Sequence, residues 1–362
     1  MNNYKTKTHT KNFKKKEYEF FVIGADIGGT NMNFGLSGVK NGNIELISSV
    51  HFKTLNFKNI SEPLTTAVDY FREKYKINNF KGAAVAAAGP VLNREYCKLT
   101  NADFEIKKEE IEKIACCKGI VINDLSAVGF GINLLKNKDL IKISKNVKDY
   151  RNKKGVVGVI GAGTGLGESI LVFDQNRGFY VPLPSEGGHS DFPAENKFEY
   201  DMSDFIKEKN EIPGSVFYED FISGRGIENI YSFLKHKKFY PGSEYTKIID
   251  SEDKKAPVIA KYSGKDRTCK KTMEIFIKFY AKCARNFALT ILPEKLYIAG
   301  GIAQKNILWF QKDLFISEFE NHKTYSKILK KIPVYIIKNY NTGLHGACFA
   351  AANLDMGEIF KK

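Results

Sequence analysis

Two carboxylates in this sequence stand where an apolar run gives way to a turn or a helix, and both are placed to do chemistry. Asp26 follows the partly β-branched run Phe20–Ala25, and Gly28-Gly29-Thr30-Asn31 comes directly after it. That spacing predicts a buried strand, a turn whose backbone can reach φ > 0, and a return strand from Asn33. Such a turn offers backbone N–H groups and the Thr30 hydroxyl to phosphate oxygens. Asp26 could hold Mg²⁺ through water beside it, since that ion prefers carboxylate and water oxygens. A plain hairpin turn with an Asp cap fits the same residues. Asp124 ends the run Gly119–Asn123 and precedes helix-spaced residues from Leu125 to Leu135. A carboxylate at the carboxyl end of a strand is well placed to meet a ligand, and equally placed to cap the helix.

The strand–turn–strand pattern recurs. Gly155–Ile160 runs into Gly161-Ala162-Gly163-Thr164-Gly165-Leu166-Gly167, and Glu168–Phe173 follows as a further strand. The repeat predicts two related α/β domains, each with one phosphate-facing hairpin. It is not a dinucleotide fingerprint, because the glycines alternate and a strand follows, and no Walker loop occurs in the chain. Ser185-Glu186-Gly187-Gly188-His189 sets a carboxylate and an imidazole around two glycines, where both can face one small polar ligand. Two such ligands with no third nearby do not make a zinc site. Leu296–Ala299 leads into Gly300-Gly301, a third strand–glycine junction that lets backbone approach a flat ligand or simply turns into a helix.

Around these motifs the periodicity predicts strands at Asn43–Phe52, Gly82–Ala88 and Pro333–Lys338. It predicts helices at Ser61–Tyr75, Thr272–Leu292, around Asn306–Phe319 and at Gly343–Leu354, and a helix–turn–helix pair over Val216–Leu234. Segments 136–153, 193–215 and 236–270 carry no strong period and read as a crossing, a surface excursion and a loop or insertion. A length of 362 residues suits about two domains. Hydrophobic residues at 43% and charged residues at 27% suit a globular chain. The net charge of +15 comes from lysines dispersed among acids, without an arginine-rich helix or RNA-binding signature, so no nucleic-acid partner is expected. No run approaches the roughly 18 apolar residues of a membrane span, and a secretory signal is not expected. Residues 1–18 read as a basic, poorly ordered arm. Six cysteines without a C-x-x-C pair fit reduced thiols in the cytoplasm.

The motifs ADIGGTN, LTN, INDLSAV, GAGTGLG, SEGGHSDF, YEDFISGRGIENIY, AGGI and IPVY…NTGLHGA occur in an order that resembles the bacterial-type glucokinase family, from about Phe20 onward. That family belongs to the actin-like ATPase clan, with a ribonuclease H-like α/β fold of two lobes around a cleft. The resemblance implies a small lobe of residues 19–133 plus 343–362 and a large lobe of 134–342. It implies ATP, Mg²⁺ and glucose as partners, with a homodimer as the family's suggestion. It casts Asp124 as the base that takes the proton of the hexose 6-hydroxyl, and Asn101, Asn123, Glu186, His189 and Glu219 as hexose-binding residues. Gly28, Gly29, Thr30 and Asn31 resemble the first phosphate loop, and Gly163, Thr164 and Gly165 the second. Asp26 resembles the Mg²⁺-side carboxylate, and Gly300 and Gly301 the adenosine-side turn. Where the family's first loop usually reads GGTNAR, Asn33 replaces the Arg, and Phe104 replaces a Trp common after LTN. ROK-type sugar kinases are the nearest alternative, but they usually carry a Cys-rich zinc motif after the GGH element, and residues 190–215 contain no cysteine. A sugar-sensing regulator without catalysis would have no need of Asp124.

Overall fold

The computed structural model describes residues 4–100, 102–145, 147 and 154–354, which divide into two compact units. The first comprises Met1–Asn137, Asp174–Leu183 and Asn341–Lys362, and the second Lys138–Phe173 and Pro184–Tyr340.

In the first unit, β1 (Lys5–Thr8), β2 (Phe20–Ile27), β3 (Asn31–Lys40) and β4 (Asn43–Lys53) precede α1 (Ser61–Tyr75) and β5 (Gly82–Ala87). A small three-stranded ribbon, β6 (Val91–Leu92), β7 (Tyr96–Lys98) and β8 (Glu105–Lys107), leads to α2 (Lys108–Ala115), β9 (Lys118–Asn123) and α3 (Asp124–Gly131). The main sheet runs β1-β4-β3-β2-β5-β9, antiparallel through β2 and parallel from β2 to β9. On one face Leu64, Ala67, Val68 and Phe71 of α1 lie in the core, spaced as one helical stripe. Burying a ring such as Phe71 contributes roughly 1.5–3 kcal/mol. On the other face the C-terminal helix Thr342–Ala352 lies against β2 so closely that a Cβ on Gly24 would meet the Cys348 backbone nitrogen at 2.6 Å.

From Tyr4 onward the amino-terminal segment is not the poorly ordered arm expected of residues 1–18. Lys5–Thr8 pairs with β4, Lys5 opposite His51, and the Tyr4 ring packs tilted against Phe52, with centroids 5.5 Å apart. Phe13 packs among Tyr18, Phe21 and Tyr75. Three aromatic anchors among the lysines supply the apolar contact that overall composition hides. Asp174–Leu183 also groups with this unit, because Phe179 meets Phe349 edge-on at 5.0 Å and the Asn133 side chain bonds both backbone groups of Tyr180.

In the second unit, β10 (Leu140–Lys142), β11 (Val157–Ala162) and β12 (Leu166–Asp174) are followed by β13 (Phe179–Leu183), which groups with the first unit. Then come α4 (Lys197–Lys209), α5 (Gly224–His236), α6 (Glu244–Asp250), α7 (Lys255–Tyr262), α8 (Arg267–Ile291), β14 (Lys295–Ala299), α9 (Gly301–Lys305) and β15 (Val334–Ile337). The strands lie in the order β10-β15-β14-β11-β12, with β11–β12 antiparallel and β11–β14–β15 parallel. This repeats the β3-β2-β5-β9 pattern of the first unit, as the repeated Gly-rich hairpin predicts. Asp266 caps α8 by accepting from the Cys269 N–H at 2.7 Å, and Leu292, at φ 44°, ends it just before Pro293.

Several weakly patterned stretches are more regular than expected. Residues 140–142 form β10, Met202 and Ile206 bury the inner face of α4, and Ile249, Ala256 and Ile259 anchor α6 and α7. The three helices bury only one or two apolar residues each, too few for a clear period. The Val216–Leu234 pair is instead a single 3-10 turn at Tyr218–Asp220 followed by α5, and the helix expected over Asn306–Phe319 is broken into Ile307–Phe310 and Asp313–Glu320.

The C-terminal helix also crosses α3 without room for a side chain. A Cβ on Gly346 would lie 1.7 Å from the Ala127 carbonyl oxygen, so Gly346→Ala must push two backbones apart. It should cost at least about 1–3 kcal/mol, read as a lowered melting temperature. Gly264→Ala, with nothing within 4 Å of the new methyl, is the control, and equal melting of the two variants would refute the packing argument.

Candidate active site

In the first unit, Asp26 stands at the end of β2 and is partly buried. The turn after it is braced internally: the Gly28 N–H donates to the Asn31 carbonyl at 3.0 Å, and the Thr54 hydroxyl donates to the Gly28 carbonyl at 2.7 Å. Gly29 and Thr30 form the tip, with Thr30 exposed. Lys53, directly across the sheet from Asn31, donates to its side-chain carbonyl at 2.9 Å and brings a cation to the turn. Nothing in the local motif marks Lys53, because it arrives from β4 through strand pairing.

Asp124 is the first residue of α3, and the cap that the sequence allows it belongs to Asn123. The Asn123 side-chain oxygen accepts from the N–H groups of Leu125 at 2.9 Å and Ser126 at 3.2 Å. Asp124 accepts from the Leu125 N–H at 2.8 Å at the amino-terminal end of the helix. Its charge reaches Asp26: burial first, then the Asp124 carboxylate, pushes the Asp26 pKa up to about 7. The two sequence-predicted carboxylates are therefore brought together within one unit. Asn101 lies outside the described residues, and Thr100 beside it donates its hydroxyl to the Ala88 carbonyl at 2.9 Å.

In the second unit, Gly163, Thr164 and Gly165 form the tip of the β11–β12 hairpin, closed by a 2.8 Å bond from the Gly163 N–H to the Gly165 carbonyl. The Gly163 carbonyl accepts from the Gly224 N–H at 2.9 Å, which ties the tip to the start of α5. Glu219 is bonded beneath it by the Leu166 N–H at 2.8 Å and by Arg225 at 3.2 Å. His189 stands between two acids, with Nδ1 at 3.4 Å from Glu186 and Nε2 at 3.9 Å from Glu219. Glu186, His189 and Glu219 thus converge on one polar cluster whose outer members are exposed. Gly300, at φ 89°, turns β14 into α9 against the end of β11, where a Cβ would strike the Ala162 carbonyl at 2.3 Å. The glycine junctions at Gly163–Gly165 and Gly300-Gly301 are therefore neighbours. Arg225 and Glu168 join this site without having been expected from motif spacing: Arg225 is one cation among many, and Glu168 is a carboxylate buried within a strand, where the pattern predicts an apolar residue or an outward-facing one.

Glu168 supports the Glu186–His189 turn from below, since a Cβ on Gly187 would meet its carboxylate at 2.0 Å. Burial pushes its pKa up to about 7 from 4.5, although Cys283 bonds it at 3.5 Å. A raised folded pKa favours the fold while the group is protonated, fully below about pH 4.5, and that stability is lost as pH rises towards 7. The loss amounts to at most about 3 kcal/mol. Wild-type protein should therefore melt at a lower temperature at pH 8 than at pH 5, and Glu168→Gln should flatten the difference. An unchanged pH dependence in the variant would show that Glu168 is not the buried acid responsible.

The glucokinase family profile matches residues 23–354, through both units. A glucokinase of Synechocystis sp. is 31% identical over 353 residues, covering 91% of this chain and 97% of the relative. A glucokinase of Nostoc punctiforme is 32% identical over 348 residues, covering 92% and 99%. Among solved structures, the glucokinase from Balamuthia mandrillaris in complex with glucose shares the fold, with a TM-score of 0.77 at 22% identity over 92% of this chain and 94% of that one. A ROK family glucokinase from Streptomyces griseus in complex with glucose and AMPPNP matches with a TM-score of 0.62 at 17% identity over 92% and 99%. The fold is that of the actin-like ATPase sugar kinases, and with a family profile spanning both Gly-rich hairpins and relatives matched nearly end to end, the chain belongs to the glucokinase family.

Proposed function

We infer that this chain transfers the γ-phosphoryl group of ATP to the 6-hydroxyl of glucose, giving glucose 6-phosphate and ADP. Besides family membership, the observation that carries the reading is Asp124, held at a strand–helix junction with its carboxylate close enough to raise the pKa of Asp26. Asp124 is the base: its oxygen accepts the 6-hydroxyl proton as the sugar oxygen attacks phosphorus and the bond to the ADP oxygen breaks. A placed base contributes about 10²–10⁴-fold in rate, and alignment and charge stabilisation supply most of the rest.

Glu186, His189 and Glu219 offer acceptors and a donor to the sugar hydroxyls, each of which needs a partner once buried. Asn101 and Asn123 are the further hydroxyl-binding residues of this reading: the Asn123 oxygen is taken by the helix cap and one amide N–H reaches the Gly89 carbonyl at 3.4 Å, which leaves its other N–H for a hydroxyl. The turn Gly28, Gly29, Thr30 and Asn31, with Lys53, and the turn Gly163, Thr164 and Gly165 each offer groups that suit phosphate oxygens. Gly300 and Gly301 let the backbone approach the adenosine. The absence of cysteine from residues 190–215 favours this reading over a ROK-type kinase. The six cysteines are unpaired and no described helix is long and apolar enough to cross a membrane, both in keeping with work in the cytoplasm, where ATP is available.

The residues at Asp26 suit Mg²⁺. Asp26 is one carboxylate with a second negative charge nearby, and among the described residues no group of three His, Cys, Asp or Glu forms a protein cage. Mg²⁺ is the ion that keeps its waters and binds through one or two carboxylates and substrate phosphates. Asp26 would hold it through water, and the ion would neutralise charge on the β- and γ-phosphates.

Asp124→Asn should lower kcat by about 10²–10⁴-fold while glucose affinity stays close to wild type. A coupled assay with ATP, Mg²⁺ and a panel of hexoses checks this. Wild-type protein that phosphorylates no hexose, or an Asp124→Asn variant within about tenfold of it, would overturn the proposal. Asp26 must be ionised to serve, and with a pKa of about 7 it is mostly protonated at pH 6. The Mg²⁺-dependent gain in ATP affinity should weaken about tenfold from pH 8 to pH 6, and Asp26→Asn should remove that dependence. A gain that is flat across this range would count against Asp26.

A further inference from the structure

A row of polar side chains crosses the first unit's sheet from Asp26 to the amino-terminal strand. Asp26 on β2 lies directly opposite Asn33 on β3, and Asn33 opposite His51 on β4, so all three project from one face. His51 Nδ1 is 2.6 Å from the Asn33 side-chain oxygen, and His51 Nε2 is 2.8 Å from the Ser49 hydroxyl. The same hydroxyl is 2.9 Å from Nε2 of His9, which follows β1 and is anchored by its backbone N–H to the Ile47 carbonyl at 2.8 Å.

These contacts have one consistent direction when both rings are neutral. Burial, with Lys7 nearby, pushes both imidazoles below their usual pKa; His345 on the C-terminal helix and His51 add to the effect at His9. A neutral imidazole has one donor and one acceptor. His51 Nδ1–H donates to the Asn33 oxygen, so His51 Nε2 must accept from the Ser49 hydroxyl. That hydroxyl then accepts from His9 Nε2–H. Each member donates toward Asn33, and the chain ends with the Asn33 amide oxygen filled. The amide N–H groups of Asn33 are thereby turned away from His51, on the partly exposed side where Asp26 and the Gly28–Thr30 turn lie.

We propose that His51 is a positioning residue for nucleotide binding: through its bond to Asn33 it orients the Asn33 amide as a donor to a phosphate oxygen of the nucleotide, and Ser49 and His9 hold its tautomer. The inference rests on the phosphate-binding reading of the Asp26 turn. It makes the amino-terminal segment part of the nucleotide site, although that segment contributes no residue expected to touch the ligand.

The test is direct binding of ATP, adenosine and glucose to the full chain by calorimetry, with steady-state kinetics beside it. His51→Phe, which keeps a ring but no donor, should weaken ATP binding and raise the KM for ATP about tenfold. Binding of adenosine and glucose should be unchanged, and kcat should stay within about threefold. His51→Asn, whose amide nitrogen can stand where Nδ1 stands, should restore most of the loss. Should His51→Phe not fold, Asn33→Ala and His9→Phe give the same readout, with Asn33→Ala the larger effect. ATP affinity that is indifferent to these changes, or an equal loss for ATP, adenosine and glucose, overturns the inference. Because the reading is binding, a protein that binds ATP in a His51-dependent way yet phosphorylates no sugar would overturn the kinase assignment and leave this inference standing.

Discussion

Two carboxylates that repel each other set the terms for the first unit. Asp26 comes from a strand and Asp124 from the start of a helix, and neither has gone far enough into the core to be simply neutral or far enough out to be fully hydrated. Keeping both ionised in that corner costs free energy, and a fold selected only for stability would have removed one of them. The surrounding elements are arranged to tolerate the pair. Asn123 takes over the helix cap at the start of α3, and Gly343 lies against the Asp26 carboxylate where any larger residue would crowd it. The strain is useful once a positively charged partner arrives, because the same repulsion becomes attraction for it.

The second unit handles charge differently. Glu219 is fixed by the Leu166 N–H and Arg225, and His189 stands between it and Glu186, so acceptors and donors alternate there instead of repelling. A cluster of that kind can satisfy a ring of neutral hydroxyls without a large net charge. The contrast matches the proposed roles of Asp26 and Asp124 in cation and proton handling and of Glu186, His189 and Glu219 in hydroxyl recognition.

Much of this was legible in the chain itself. The two glycine hairpins, the strand ends at Asp26 and Asp124 and the Glu186–His189 turn are all local patterns, in which residue type and spacing act within one turn or one strand. What escaped was contributed from a distance. Lys53 reaches the first turn through cross-strand pairing, and Glu168 matters only because Gly187 folds down onto it. The lysine-rich amino-terminal segment misled for a related reason: its order comes from Tyr4, Phe13 and Tyr18 finding partners far along the chain, at Phe52, Tyr75 and Glu45. Helices α4, α6 and α7 bury so few residues each that their pattern is recognisable only against the core they cover.

The first unit is stitched from three separate stretches, and the helix that covers the Asp26 face of β2 comes from the last of them. During synthesis, β2 to β9 leave the ribosome long before Thr342–Ala352 exists to shield Val22, Ala84 and Ile122. The second unit, apart from the short excursion that groups with the first, can close around its own core while that face is still bare. The part of the protein made first is therefore completed last. A nascent chain stalled or cut before the final helix would display an apolar sheet face of the kind chaperones bind, together with an Asp26 corner that has lost its lid.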